Sequence, residues 1–301
     1  MTLPQRIMLL GANGQVGQAL QAETLPPHWE LGLYGHKELD ITNHSAVRDA
    51  VQSYKPALIV NAAAMTAVDK AEQDEDAAMA VNFAGPAMLA AQASALDIPL
   101  IHLSTDYVFD GDMDRPYLPD DPMNPLNAYG RSKLMGEEAV RHELAWHVIL
   151  RISWVISAYS NNILTNTLKM IDTRDELRMV TDQFGAPTAA PDVAAAIITI
   201  ATALLNGKAD GFGTFHLCGA PPCTRYEMTE AIMAAYAPYT DRRPKITPTV
   251  SAEFSNFAPR PRYSALDCAK IRAVYGIEQH LWQDGLVTAI RQIMKNRSAT
   301  P

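Results

Sequence analysis

Short apolar runs alternate with amphipathic stretches through the first half of the chain. Residues 6–10, 29–34, 57–61, 99–103 and 147–152 are runs of strand length bounded by turn formers. Residues 18–23, 44–54, 74–96 and a stretch opening near Ala128 carry helical spacing of apolar positions instead. Alternating strands and helices predict an α/β fold, a doubly wound parallel sheet. Residues 66–72 read as a loop, and 112–126, rich in Pro and Asp, as a longer one. The rhythm changes from about residue 159. Helices are expected over 161–172, 191–205, 226–236, 268–275 and 282–294, with Pro191 in a first turn, and a strand over 213–219. Residues 180–188 are polar and turn-rich, and 242–257 Pro-rich and irregular.

Composition narrows the class. With 301 residues, 48% of them hydrophobic, the chain can bury a sizeable core as one large domain or two smaller ones. A net charge of −8 argues against a nucleic-acid surface. The longest apolar run, 193–205, is too short to span a membrane, and residues 1–6 show no signal-peptide pattern. Cys218, Cys223 and Cys268 form no CxxC pair, which fits a reducing, cytoplasmic setting.

The loop after the first strand reads Gly11-Ala12-Asn13-Gly14-Gln15-Val16-Gly17. Glycines so spaced between a strand and a helix let the backbone turn tightly and approach a pyrophosphate at the helix N-terminus. A generic strand–helix turn is the plainer alternative. The second strand ends Tyr34-Gly35-His36-Lys37. No acid stands there to hold a ribose 2′-hydroxyl, and His36 and Lys37 lean toward a 2′-phosphate, hence NADPH, with NADH and an ordinary polar loop left open. Asp40 and Ile41 are included in the expected cofactor site. So are Ala62, Ala63 and Ala64, whose small side chains leave room for a cofactor against the backbone.

The stretch from Ser104 to Glu137 carries the chemistry. Thr105 ends a buried strand, where open α/β sheets place ligands. Asn127 can cap a helix on which Tyr129 and Lys133, four apart, share a face. A phenol beside an ammonium is a proton donor whose pKa the cation lowers. Alone, the pair is equally a packed Tyr near a surface Lys. Asn82 reads as a structural bridge, His102 as a satisfied core histidine, Asp106 and Asp110 as turn residues, and Ser104 as a strand-end residue. No metal-ligand spacing is recognisable. Arg260 or Arg262 could meet a diphosphate as a fork.

Taken together, Gly11 to Gly17, Ser104-Thr105-Asp106-Tyr107-Val108-Phe109, Tyr129-x-x-x-Lys133 and Val180-x-Asp182-Gln183-x-Gly185-x-Pro187-Thr188 resemble the extended short-chain dehydrogenase/reductase superfamily. Within it, the chain is similar nearly end to end to the dTDP-4-dehydrorhamnose reductase family. The change of rhythm divides the chain into a Rossmann-type domain over residues 1–158 and a smaller substrate-binding lobe over 159–301, with a fuzzy boundary because Trp154 and 182–188 are expected to return to the main sheet. The resemblance implies NADPH- or NADH-dependent reduction of a nucleotide-linked 4-keto sugar, a Thr105–Tyr129–Lys133 catalytic set, and sugar contacts from Val68, Tyr107 and Trp154. A homodimer is an expected partner state; nucleic acid and membrane are not expected partners. Met65, Ile156 and Arg225 depart from the family's usual pattern, and Met65 and Arg225 bear on the exact substrate. The rivals are an epimerase or dehydratase on the same fold, and a non-catalytic NADP(H)-binding regulatory subunit. A dehydratase commonly carries Asp-Glu after the catalytic Thr, and here Asp106-Tyr107 follows Thr105.

Overall fold

The computed structural model describes residues 4–254 and 258–299. Its centre is a sheet of β1 (Gln5–Leu10), β2 (Trp29–Tyr34), β3 (Leu58–Asn61), β4 (Leu100–Thr105), β5 (His147–Ile152) and the later strand Gly213–Leu217. In space the order is Gly213–Leu217, β5, β4, β3, β1, β2, and every neighbouring pair is parallel. The winding direction reverses between β1 and β3, which opens a crevice at the strands' carboxyl ends.

Helices cover both faces, so the central strands are buried from end to end. Alternate residues divide between the faces. Ile7, Leu9, Val60, Ile101 and Val148 join a core that includes the Ala190–Leu205 helix, while Met8, Leu10, Ile59, Leu100 and Ile149 pack with Val47, Val51, Leu89 and Val140. A separate core, with Leu168, Leu177, Met228, Ile232 and Ile290 among its members, is built by helices Ile163–Thr173, Arg225–Tyr236 and Trp282–Ala299. Among the described residues no helix is long and apolar enough to cross a membrane.

Four expectations change. Residues 66–72 are not a loop, because Val68–Gln73 is helical and packs Ala71 inward. The 74–96 helix is broken into Glu75–Met79, a π-helical turn Ala80–Ala84, and Gly85–Leu96. Asn82 lies in that turn, bonded to both backbone groups of Met65 at 2.9 and 3.1 Å and to Ser132 Oγ at 3.0 Å, so it is the structural bridge expected. The 242–257 stretch holds a strand, Lys245–Thr249, paired with Glu176–Val180. Its Pro248 hid it, since Pro is tolerated on a strand paired on one side; residues 255–257 lie outside the described residues. Finally, the segments after Trp154 and before Ala190 do not rejoin the main sheet. Val155–Ile156 pairs with Thr188–Ala189 in a two-stranded ladder of its own.

One buried ion pair ties the carboxyl ends of this frame together. Glu137 and Arg151 are both fully buried. Arg151 Nε and Nη2 donate to the two carboxylate oxygens at 2.8 and 2.7 Å, and Arg141 adds a bond of 2.5 Å. Arg151 also donates to the Pro119 carbonyl at 3.0 Å, meets His216 Nε2 at 3.2 Å and lies over the Phe109 ring. The pair thus joins the Ala128–Glu143 helix, β5, the 112–126 loop and the Gly213–Leu217 strand. Burial pushes the Glu137 carboxyl up, but Arg151 and Arg141 outweigh it and hold it below the usual range. Its stabilisation is therefore present above the unfolded carboxylate pKa and lost as pH falls through the lower folded one.

Glu137→Gln should cost about 3–5 kcal/mol, because it leaves Arg151 buried without its counter-charge. Thermal and denaturant unfolding read this directly. The double change Glu137→Leu with Arg151→Met should cost less than either single one, and a larger loss would contradict the assignment.

Candidate active site

The glycine-rich loop is a cradle that side chains would fill. Gly11 has φ +76°, and a Cβ there would sit 2.6 Å from the Ala62 carbonyl and the Ala63 nitrogen. A Cβ on Gly17 would lie 2.3 Å from the Gly11 oxygen. Gly14 is the N-cap of helix Gln15–Ala22 and supplies no side-chain cap, so the first N–H groups face the loop's mouth. Val16 is buried in the core. Gln15 Oε1 accepts from Ser157 Oγ at 3.0 Å, and the Asn13 carbonyl from Ser160 Oγ at 3.1 Å, which ties the loop to the second half of the chain. These residues, with Ala62 to Ala64 after β3, fit a dinucleotide's pyrophosphate at the crevice.

The end of β2 differs from the expectation. His36 and Lys37 are exposed there. An acid stands there after all, because Glu38 folds back and accepts from the Gly35 N–H at 3.0 Å. The turn after the strand hid it, since Glu38 follows the strand end by four residues. Asp40 closes a turn, and bonds from the Thr42 N–H and hydroxyl hold its carboxyl below the usual range. Ile41 is buried and fills the space left by the missing Cβ of Gly85.

Thr105 and Tyr129, which the resemblance sets together, lie side by side. Asn127 caps the helix, its side chain accepting from Gly130 N at 2.9 Å. The Tyr129 hydroxyl faces Thr105, close enough for Thr105 to act on the phenol. The ring of Tyr129 meets that of Tyr107 edge-on at 5.9 Å, with Met65 and Val68 packed against both. Lys133 is on the same helix face and fully buried, yet it points elsewhere. Its Nζ donates to the Leu103 carbonyl at 2.7 Å and lies 3.4 Å from His102 Nε2. Burial lowers the Lys133 ammonium to about 8, against the pull of Glu137. Burial also pushes the Tyr129 phenol up, with Asp106 and Tyr107 adding to the rise against the Thr105 bond. The expected lowering by Lys133 is not found: desolvation of a phenol in an apolar pocket outweighs an ammonium already engaged with a carbonyl.

Arg225 links Trp154 to this cluster, lying over its ring and acting on Tyr107. The φ of Trp154 is +43°, and its ring lies between Gly185, where a Cβ would meet the indole at 2.2 Å, and Arg225, whose guanidinium carbon is 3.4 Å from the ring centroid. Arg225 also bonds Tyr107 and sits near Asp106. Arg260 is not presented as a lone fork. It grips Asp69 with two bonds of 2.9 Å and so ties the 258–262 segment to the Val68–Gln73 helix. Arg262 is exposed, with its carbonyl accepting from Phe184 N.

Five further residues around the site have structural or unassigned roles in the sequence. Asp106 does open a tight helical turn, Asp106–Val108, as expected, but it is buried there, with Thr105 and Ser153 donating to its carboxylate. His102 is satisfied as expected, with Nδ1 3.1 Å from Asn61 Nδ2, but its other nitrogen faces Lys133. Arg225 stood out only as a departure from the family pattern. Asp110 does anchor a turn, accepting from Tyr117 and Asp112. The Ser104 hydroxyl is buried and bonded to neither Thr105 nor Tyr129.

With this geometry in hand, the chain can be set beside known proteins. A family model described as RmlD substrate binding domain matches residues 5–295. The dTDP-4-dehydrorhamnose reductase of Sinorhizobium fredii is 40% identical over 280 residues, covering 93% of this chain and 94% of that one. Solved dTDP-4-dehydrorhamnose reductases from Clostridium acetobutylicum and from Bacillus anthracis, the latter in complex with NADP, superpose with TM-scores of 0.89 and 0.87. They are 33% and 32% identical, each covering 96% of this chain and 100% of its own. The chain therefore belongs to the dTDP-4-dehydrorhamnose reductase family, the one that the RmlD substrate binding domain model describes.

Proposed function

We propose that this protein reduces the C4 ketone of a nucleotide-linked 4-keto-6-deoxyhexose with NADPH, converting dTDP-4-dehydro-L-rhamnose to dTDP-L-rhamnose for surface polysaccharide synthesis. The observation that carries the reading is the meeting of Thr105 and Tyr129 at the carboxyl end of β4, beside Tyr107 and Val68. The Gly11–Gly17 cradle would hold the cofactor's pyrophosphate, and Lys133 its nicotinamide ribose. When bound, the reduced nicotinamide supplies a hydride to C4.

The chain's own residues then handle the oxygen. Charge develops on the C4 oxygen as the carbonyl is reduced, and donors aimed at it stabilise that charge. Tyr129 donates the proton, and Thr105 bonds the same oxygen. Its raised pKa keeps the Tyr129 phenol protonated at neutral pH. A forming alkoxide is more basic than phenolate, so the transfer still runs downhill. Trp154, with Arg225 over its ring, is assigned to the wall beside the sugar.

The reading assigns the substrate lobe to residues 159–301, less the Ala190–Leu205 helix and the Gly213–Leu217 strand, which belong with the main sheet. Three free, buried cysteines support work in the cytoplasm. Mixing the protein with NADPH and a small panel of nucleotide 4-keto sugars, while following nicotinamide absorbance, tests the function. Oxidation with none of them would rule the reading out.

Tyr129→Phe removes only the hydroxyl and should lower kcat by about 10²–10⁴-fold with little change in NADPH affinity. Near-normal turnover would place the donor elsewhere. Trp154→Ala should raise KM for the sugar while NADPH binding holds; equal loss of both, with a lowered melting temperature, would make Trp154 a core residue only. Lys37→Ala should raise KM for NADPH more than for NADH, and an equal effect would remove Lys37 from the 2′-phosphate site.

A further inference from the structure

Thr105 Oγ1 carries one proton and has three close partners. It accepts from the Tyr107 N–H at 3.1 Å. The Tyr129 hydroxyl faces it, close enough for Thr105 to act on the phenol. It donates to Asp106 Oδ1 at 3.1 Å. An ionised carboxylate can only accept. Beside an ionised Asp106, the Thr105 proton is committed to the carboxylate, and Thr105 can only accept from Tyr129. Both hydroxyls then point away from the place where negative charge develops. Reduction of a ketone needs the reverse, with Thr105 and Tyr129 donating to one oxygen.

We propose that Asp106 works as a neutral carboxylic acid that donates its proton to Thr105 Oγ1, which frees the Thr105 hydroxyl to donate to the substrate's C4 oxygen. Asp106 is then a positioning residue that sets the direction of the hydrogen-bond chain Asp106–Thr105–substrate oxygen. The proposal rests on the reading that a C4 ketone is reduced here. No proton is spent along this chain: the one transferred to the C4 oxygen comes from Tyr129, and the protons of Asp106 and Thr105 stay on their own oxygens.

The surroundings shift Asp106 toward the acid form. Asp106 is only 2% exposed. Burial pushes its carboxyl up to about 6, against the opposing bonds of Ser264, Ser153 and Thr105 and the charge of Arg225. Ser153 Oγ donates to Oδ2 at 3.1 Å, which leaves Oδ1 to face Thr105. Arg225 is the cation that faces Asp106, from helix Arg225–Tyr236; Tyr129 faces it from helix Ala128–Glu143, and Tyr107 neighbours it along its own turn. Arg260 acts on Arg225. Arg225 divides its donors between Tyr107 and the Trp154 face, so it does not form a close pair with Asp106. Filling the pocket with a sugar removes further water and moves Asp106 the same way.

The test is the pH dependence of kcat/KM for the wild type, Asp106→Asn and Asp106→Ala. The Asn amide donates to Thr105 at any pH, whereas Ala cannot. The wild type should lose about tenfold in kcat/KM per pH unit above the Asp106 pKa. In Asp106→Asn that limb should be absent, so that its activity at pH 8 exceeds that of Asp106→Ala by at least about tenfold. A limb that persists in Asp106→Asn, a wild type without one, or an Asn variant as poor as the Ala variant would each overturn the proposal. Should either variant not fold, infrared spectra of the wild type follow the carbonyl stretch of a neutral carboxylic acid across the same range. A buried acid signal that titrates near pH 6 supports the proposal, and its loss well below that pH overturns it. Failure of every keto sugar to react would instead refute the proposed function, and the infrared result would still decide the state of Asp106.

Discussion

The bidentate pair of Glu137 and Arg151 is the constraint on which the site depends. Two residues of opposite charge are withdrawn from water, and they tolerate it because each carboxylate oxygen and most guanidinium donors find partners. The pair fixes the Ala128–Glu143 helix against β5, and that helix carries Tyr129 and Lys133 at successive turns before Glu137. With the helix fixed, Tyr129 arrives at Thr105, and Lys133 at the Leu103 carbonyl, without loop flexibility intervening. Position comes from rigid elements, and the loops add the walls.

Burial then sets the electrostatics of the pocket more than neighbouring charge does. It raises the Tyr129 phenol and the Asp106 carboxyl and lowers the Lys133 ammonium, so each group is pushed toward its neutral form. A site of near-neutral donors suits a reaction whose charge appears only transiently on the substrate oxygen. It also explains why an argument from the Tyr–Lys spacing alone misjudges Tyr129: spacing gives proximity along a helix, but not where the ammonium's bonds are already committed.

Much of the fold was legible because its signals are local. The runs that became β2 and β5 and the His44–Tyr54 helix match their sequence boundaries, since apolar period and turn residues both mark them. The glycine loop was legible for the same reason, and Gly11 and Gly17 prove to be places where any Cβ would collide. What was hidden depends on contacts distant in sequence. The Lys245–Thr249 strand exists through its pairing with Glu176–Val180. Arg260 meets Asp69 across 191 positions, Glu38 reaches the strand end by folding back, and Asp106 looks like a turn residue until Ser153 and Ser264 close over it. The polar part of the site is a tertiary construction, and only its Thr–Tyr–Lys skeleton has a sequence signature.

The central claim is that this pocket directs a hydride to C4 of a keto sugar and a proton to the oxygen above it. The direct measurement is a single turnover with NADPH deuterated at the nicotinamide C4 hydride, followed by NMR of the sugar product. The account predicts one deuterium bonded to C4 of the sugar. Deuterium at another carbon, or a converted sugar that carries no deuterium, would contradict it.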